Sequence, residues 1–166
     1  MVGVVLLKPV NKLKDSKRLT PKKREELYKI IKKNSKYHIY EASSLKIDQI
    51  GLSKAIQEGL KEIKKVFNNT KFIFDGNSSF GVNKIETLIK ADDKIKCVSA
   101  ASILAKVYRD NQMIEYSKIY PEYGFEKHKG YGTKAHLEAI AKYGYCPIHR
   151  KSFKINLPNK KNSLFT

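Results

Sequence analysis

Two short apolar runs, each ended by a carboxylate, limit what this chain can fold into more than any other feature of its sequence. The first is Lys71-Phe72-Ile73-Phe74, which stops at Asp75-Gly76-Asn77; the second, residues 85–89, stops at Lys90-Ala91-Asp92-Asp93. Runs of this length bounded by turn residues read as buried strands. As neighbours in one sheet they deliver two carboxylates to one edge, where a metal ion can be held. Over residues 99–116 the pattern becomes helical: Ala100, Ile103, Leu104 and Val107 recur at helical spacing behind Ser99 as N-cap. The opposite face carries Lys106 and Arg109, cations suited to a phosphate backbone lying across the aspartates. Acid for a metal beside base for phosphate is the pattern of phosphodiester chemistry. Asp75 also fits an ordinary strand-end turn, and Asp93 competes with Asp92 for any ligand role.

The charge balance agrees with a polyanionic partner. Lys plus Arg number 34 against 16 Asp plus Glu, a formal charge of +18 over 166 residues, with a sequence pI near 9.8. Nucleic acid is the first partner class this favours and an anionic membrane the second. An AT-rich genome also enriches surfaces in lysine, so charge alone is only a partial argument. The length is that of one domain, able to bury a core without disulfides.

Cys97 and Cys146 stand far apart with no ligand-like spacing, and no apolar run is long enough for a signal peptide or a membrane span. A reducing cytoplasm is the expected location. The sequence has no Cys-x-x-Cys, His-Glu-x-x-His, phosphate-cradling Gly-rich loop or internal repeat, which excludes zinc enzymes, nucleotide kinases and solenoids. His38, His128, His136 and His149 read as scattered, without a ligand set.

The remaining segments read as scaffold. Residues 1–8, MVGVVLLK before Pro9, predict a strand buried on both faces. Residues 12–19 form a loop, and Thr20-Pro21 with Glu25 opens a helix running to about residue 33, with Leu27, Ile30 and Ile31 as its buried stripe. Residues 37–42 alternate as a strand does. A long amphipathic helix is expected over 47–67, burying Leu52, Ala55, Ile56, Leu60 and Ile63. Residues 116–132 are rich in Tyr, Gly and Lys, with 128–133 as an exposed loop that sets an aromatic between lysines, the usual division between stacking and charge. Thr133 then caps a helix to about residue 143, with Leu137, Ile140 and Ala141 buried. Residues 154–166 turn polar and basic around Pro158 and read as a flexible tail.

Taken together, several of these segments resemble bacterial ribonuclease HII. The resemblance is carried by the strand ending in Asp75-Gly76-Asn77, by Lys90-Ala91-Asp92, by SAASILAKVYRD at 99–110 and by YGFEKHKGYGT at 123–133. It extends upstream through Lys14-Asp15-Ser16-Lys17-Arg18-Leu19 and downstream through His149-Arg150 and Ser152-Phe153. It implies an α/β fold: a ribonuclease H-like mixed sheet flanked by helices over 1–153, with a C-terminal helical part. The implied activity is metal-dependent hydrolysis of the RNA strand of RNA–DNA hybrids, and incision 5′ of single ribonucleotides in duplex DNA.

The same resemblance assigns roles to residues. Asp75 and Asp92 match metal ligands for Mg²⁺ or Mn²⁺, with the spacing favouring Asp92 over Asp93. Lys17, Lys106, Arg109 and Lys129 become candidates for phosphate contacts, although Lys17 also fits a helix-capping turn. Asn77 and Ser102 are candidate substrate contacts. Tyr131 matches a tyrosine that packs at the ribose–deoxyribose junction; without the resemblance, a ring packed under its own loop is the simpler reading.

One element of the pattern is absent from this sequence. The family carries Asp-Glu-x-Gly-Arg-Gly on a first strand, mid-sheet between the strands that match residues 2–7 and 71–75, and that segment supplies two of the four ligands. Without it the neighbouring strands keep unpaired edges, so a native N-terminal segment is expected ahead of this sequence. Two other readings follow: a catalytically inactive nucleic-acid binder of the same family, or a product that does not fold. Leu164-Phe165 at the end of the tail resembles a peptide that docks on a replication sliding clamp. A monomer is expected.

Overall fold

The structure is a computed structural model that describes residues 1–11, 13 and 19–156. Lys17, Leu164 and Phe165 lie outside the described residues. The chain divides into two compact units, the first formed by residues 1–42 and 50–108, the second by residues 43–49 and 109–166.

In the first unit, β1 (Val2–Leu6) pairs antiparallel with β2 (Ser35–Ile39), Val4 opposite Tyr37. Between them runs α1 (Pro21–Asn34), whose N-cap Thr20 accepts the Lys23 N–H at 3.3 Å, with Pro21 at the first helical position. Leu27 and Ile31 are buried as expected, whereas Ile30 is 44% exposed and leaves the predicted stripe. At 100° per residue, a helix resting on one sheet face buries positions four apart and turns the residue between them outward. The core here joins Val10, Leu27, Ile31, Ala100, Ile103 and Leu104, with Val2, Val4 and Leu6 packed against it.

The expected single helix over 47–67 is two helices, α2 (Ser44–Ile50) and α3 (Leu52–Val66). Gly51 separates them at φ +81°, a conformation that breaks the helical hydrogen-bond run and that glycine adopts without a Cβ clash. Ala55, Leu60 and Ile63 are buried, but Leu52, placed at the break, is 49% exposed and Ile56 is half-buried. α3 lies against β1 at Gly3, where a Cβ would come within 2.4 Å of Ile63 Cγ2.

A second strand pair completes the first unit. β3 (Ile73–Asp75) and β4 (Glu86–Leu88) run parallel, with Asp75 opposite Leu88. They lead into the short α4 (Ala91–Lys94) and then the long α5 (Lys96–Ile119). Ala100, Ile103, Leu104 and Val107 of α5 are all buried, as their spacing predicts. Ser99 is not the N-cap, because the helix begins three residues earlier; its hydroxyl instead donates to the Asp92 carbonyl.

Among the described residues, the two strand pairs form separate two-stranded sheets. A cleft of about 300 Å³ is lined by Val2, Val4 and Val5 of β1, by Ile73, Phe74 and Asp75 of β3, and by Ala101 and Ser102 of α5. This corrects the expectation for β1. Its residues are half-buried rather than buried, since one edge pairs with β2 while the strand also borders the cleft.

The second unit contains α2, the later turns of α5, a 3₁₀ turn (Pro121–Tyr123), α6 (Phe125–His128) and α7 (Lys134–Tyr143). Its core gathers Met113, Tyr123, Phe125, Ile140 and Cys146. Thr133 caps α7, accepting the His136 N–H at 3.4 Å. Of the residues expected inside α7, Ile140 is buried and Leu137 and Ala141 are half-buried, while His136, one turn before Ile140, is buried instead. Asp48 of α2 accepts the Lys151 N–H at 2.8 Å, the Ser152 N–H at 3.0 Å and the Ser152 hydroxyl at 2.6 Å. These bonds hold its carboxyl below the usual aspartate range, the Ser152 hydroxyl contributing most.

Candidate active site

Parallel pairing places the two candidate ligands at corresponding ends of adjacent strands. Asp75 is the last residue of β3, and Asp92 stands in the first turn of α4, four residues after β4 ends. The turn that joins β4 to α4 is tight, with Lys90 in the left-handed region at φ 56°. Asp75 Oδ1 accepts the Ala91 N–H at 2.9 Å, so one candidate ligand answers an orphan donor at the start of the helix that carries the other.

Asp92 is only 8% exposed, whereas Asp93 faces solvent. Burying a carboxylate is costly unless a partner or cation compensates it. Asp75 and Ser102 both line the cleft beside β1. Asn77 is exposed in the loop after β3, and Lys106 is half-buried on α5, one helical turn beyond Ser102. Among the described residues, no group of three or more His, Cys, Asp or Glu side chains is placed to hold a metal ion. Asp75 and Asp92 offer hard carboxylate oxygens of the kind a divalent cation takes, and two carboxylates are fewer than a full ligand set.

The second unit holds Arg109, Lys129 and Tyr131, and Arg109 reaches the loop that carries the other two. Gly130 has φ +80°, and a Cβ built on it would lie 3.5 Å from Arg109 Nη2, so the guanidinium rests against the backbone between Lys129 and Tyr131. Lys129 is also left-handed, at φ 52°, and its ammonium donates to the Glu126 carbonyl. The loop is held by backbone bonds from Tyr131 N–H to the His128 carbonyl at 2.9 Å and from Thr133 N–H to the Tyr131 carbonyl at 2.8 Å. Tyr131 itself is 64% exposed, so its ring is not packed under its own loop.

The histidines correct the sequence reading. His128, His136 and His149 come together around Phe125: the His128 and His136 rings stack at 4.4 Å between centroids, and the His136 and His149 rings lie nearly parallel with centroids 5.3 Å apart. They are not scattered, although they form no metal set among the described residues. The available signal was the four-residue interval from His136 to Ile140, which puts both on the buried stripe of α7. Burial holds His136 and His149 below the usual histidine range, with His128 adding to the effect at His136 and His136 at His149.

A parallel strand pair that brings two carboxylates to one end of a strongly basic α/β chain suits phosphodiester hydrolysis of a nucleic acid, and the relatives of the chain are hydrolases of that class. The chain belongs to the ribonuclease HII family, whose sequence profile matches residues 7–156, and is an endoribonuclease of that type. It is 57% identical to ribonuclease HII of Sulfurovum sp. (strain NBC37-1) over 155 residues, covering 93% of this chain and 82% of that protein. It is 52% identical to ribonuclease HII of Campylobacter concisus (strain 13826) over 165 residues, covering 99% and 89%. The fold is shared with the ribonuclease HII of Archaeoglobus fulgidus, solved in complex with PCNA, at TM-score 0.71 and 23% identity over 89% of this chain and 81% of that one. It is shared also with ribonuclease H2 of Pyrococcus horikoshii OT3, at TM-score 0.64 and 24% identity over 92% and 93%. Among the described residues, no helix is long and apolar enough to cross a membrane.

Proposed function

We propose that this chain cleaves the RNA strand of RNA–DNA hybrids and incises duplex DNA on the 5′ side of single ribonucleotides, leaving 3′-hydroxyl and 5′-phosphate ends. The observation that carries the reading is the bond from the Ala91 N–H to Asp75, which ties the end of β3 to the helix bearing the buried Asp92. Asp75 and Asp92 would hold Mg²⁺ or Mn²⁺, which when bound supplies Lewis acidity and an activated water for phosphodiester hydrolysis. The protein's own contribution is binding and orientation. Lys106, Arg109, Lys129 and Lys17 take phosphates, Asn77 and Ser102 contact the nucleic acid, and the exposed Tyr131 ring packs against the ribose–deoxyribose junction.

Two carboxylates are half of the family's set. The cleft bordered by β1 and β3 suits one extended strand: its lining is apolar apart from Thr70, Lys71, Asp75 and Ser102, and strand backbone borders it on two sides. A strand bearing Asp-Glu-x-Gly-Arg-Gly there would bring its carboxylates next to Asp75. Docking on a sliding clamp through Leu164 and Phe165 is proposed as well, supported by the PCNA complex of the Archaeoglobus protein. Fluorescence anisotropy of a 154–166 peptide with the cognate clamp tests it, and absence of binding removes it.

The activity is tested by mapping product ends on an end-labelled duplex with one internal ribonucleotide. Incision on its 5′ side with a ligatable 5′-phosphate supports the reading. Cleavage on its 3′ side with a cyclic phosphate contradicts it.

A further inference from the structure

Two histidines of the second unit, the buried His136 and the half-buried His149, form a directed hydrogen-bond relay, and a backbone donor fixes its direction. The Cys146 N–H lies 2.9 Å from His149 Nδ1. A backbone N–H only donates, so His149 Nδ1 is an acceptor and the proton of the neutral ring sits on Nε2. His149 Nε2 is 3.1 Å from His136 Nε2, which must then accept. The His136 proton is thereby placed on Nδ1, 3.0 Å from the Tyr131 carbonyl. His128 is set in the same way: the Gly130 N–H meets its Nδ1 at 3.2 Å, and its Nε2–H donates to the Tyr123 carbonyl at 2.8 Å.

We propose that His136 and His149 are positioning residues for the reaction, a neutral relay from the Cys146 loop that fixes the backbone of Tyr131. The Tyr131 carbonyl takes two donors, the His136 Nδ1–H and the Thr133 N–H, which leaves that peptide little freedom while the ring stays exposed. The inference rests on the reading of Tyr131 as the sugar-contacting side chain. Its chemistry is all-or-none. A second proton on His136 sets its N–H against the His149 N–H at 3.1 Å, and one on His149 sets its Nδ1–H against the Cys146 N–H at 2.9 Å, so relay and charge are incompatible.

The surroundings disfavour a charge on His136 and His149. His128 stacks on His136, Phe125 presents its edge to both, and Tyr123 and Tyr145 approach His149 at 5.1 and 5.5 Å. The Cys146 thiol also lies 3.0 Å from His149 Nδ1, whose one lone pair already takes the Cys146 N–H; burial pushes the thiol's pKa up, and the charge of Glu122 acts the same way.

The test uses the full chain labelled with ¹⁵N. Long-range proton–nitrogen correlation at pH 7.5 is expected to show the His149 proton on Nε2 and the His136 proton on Nδ1; a His136 proton on Nε2, or a charged ring, overturns the relay. In His136→Phe the Tyr131 and Thr133 amides are expected to exchange about tenfold faster, the scale of one lost hydrogen bond. His136→Asn, whose side-chain amide can occupy the Nδ1 position, restores slow exchange. Unchanged exchange in His136→Phe contradicts the proposal. Tyr131→Ala separates the two claims through incision at a single ribonucleotide. Wild-type incision in that variant, with the expected tautomers, defeats the Tyr131 reading and with it the relay's service to the reaction. Lost incision with reversed tautomers defeats the relay alone.

Discussion

Asp75 Oδ1 accepts the Ala91 N–H at 2.9 Å, so the side chain that ends β3 fixes the Lys90–Ala91 peptide, one residue ahead of Asp92. The bond gives Asp75 a structural duty beside its proposed ligand role, and two substitutions separate them. Asp75→Asn keeps an oxygen for the Ala91 N–H and removes the charge. It is expected to melt with the wild type and to lose incision by at least about a hundredfold, as for removal of one electrostatic contact to a reacting group. Asp75→Ala loses activity equally and also about 1 kcal/mol of stability from the unanswered donor. Thermal melting beside incision rates checks both; an active Asp75→Asn enzyme refutes the ligand role.

Asp92 and Asp93 adjoin in sequence but differ in burial. Asp92→Asn is expected to abolish metal-dependent incision, and Asp93→Asn to leave the rate within about twofold, since an exposed charge outside the cluster is weakly coupled to it. Parallel rate measurements decide it, and a reversed order transfers the role to Asp93.

Much of this arrangement was legible in the sequence. The strand ends at Asp75 and before Asp92 followed from short apolar runs closed by turns, and the α5 stripe from its 3.6-residue period. Ile30 and Leu52 were misplaced because periodicity finds the apolar stripe of a helix but not which edge of it meets a neighbour, or that Gly51 interrupts it. The histidine relay was not legible. His128, His136 and His149 belong to α6, α7 and the segment after α7, and only packing around Phe125 joins them.

His136 and His149 predict a pH dependence of stability. Their folded pKa values lie below the usual one, so below about pH 6.5 the unfolded chain takes up protons that the native state refuses. Their contribution is therefore intact above about pH 6.5 and falls as the pH drops toward the folded values. Asp48 adds a separate acid step: its folded pKa is depressed, and its contribution is present above about pH 4 and lost as the pH falls through the folded value. Urea midpoints from pH 8 to 3 should show both declines, with His136→Phe flattening the upper one and Asp48→Asn the lower.

Core packing gives a contrast within one unit. Ile103 is 0% exposed and Ile30 is 44% exposed. Ile103→Ala is expected to cost about 2–5 kcal/mol, by lost burial and the cavity left behind, and Ile30→Ala less than about 1 kcal/mol. Urea unfolding of the two variants measures both, and equal losses would place Ile30 in the core.

The central claim, that Asp75 and Asp92 are one half of a hydrolytic centre completed by a strand in the cleft, is tested most directly by incision of a DNA duplex containing one ribonucleotide. Residues 1–166 are compared with the same chain extended at its N-terminus by a strand bearing Asp-Glu-x-Gly-Arg-Gly, in Mg²⁺ and in Mn²⁺. The extended chain is expected to incise on the 5′ side of the ribonucleotide, at least about a hundredfold faster than residues 1–166, with Asp75→Asn abolishing it. Equal incision by both chains would show that the two aspartates suffice. No incision by either, from folded protein that binds the duplex, would leave a nucleic-acid binder and contradict the account.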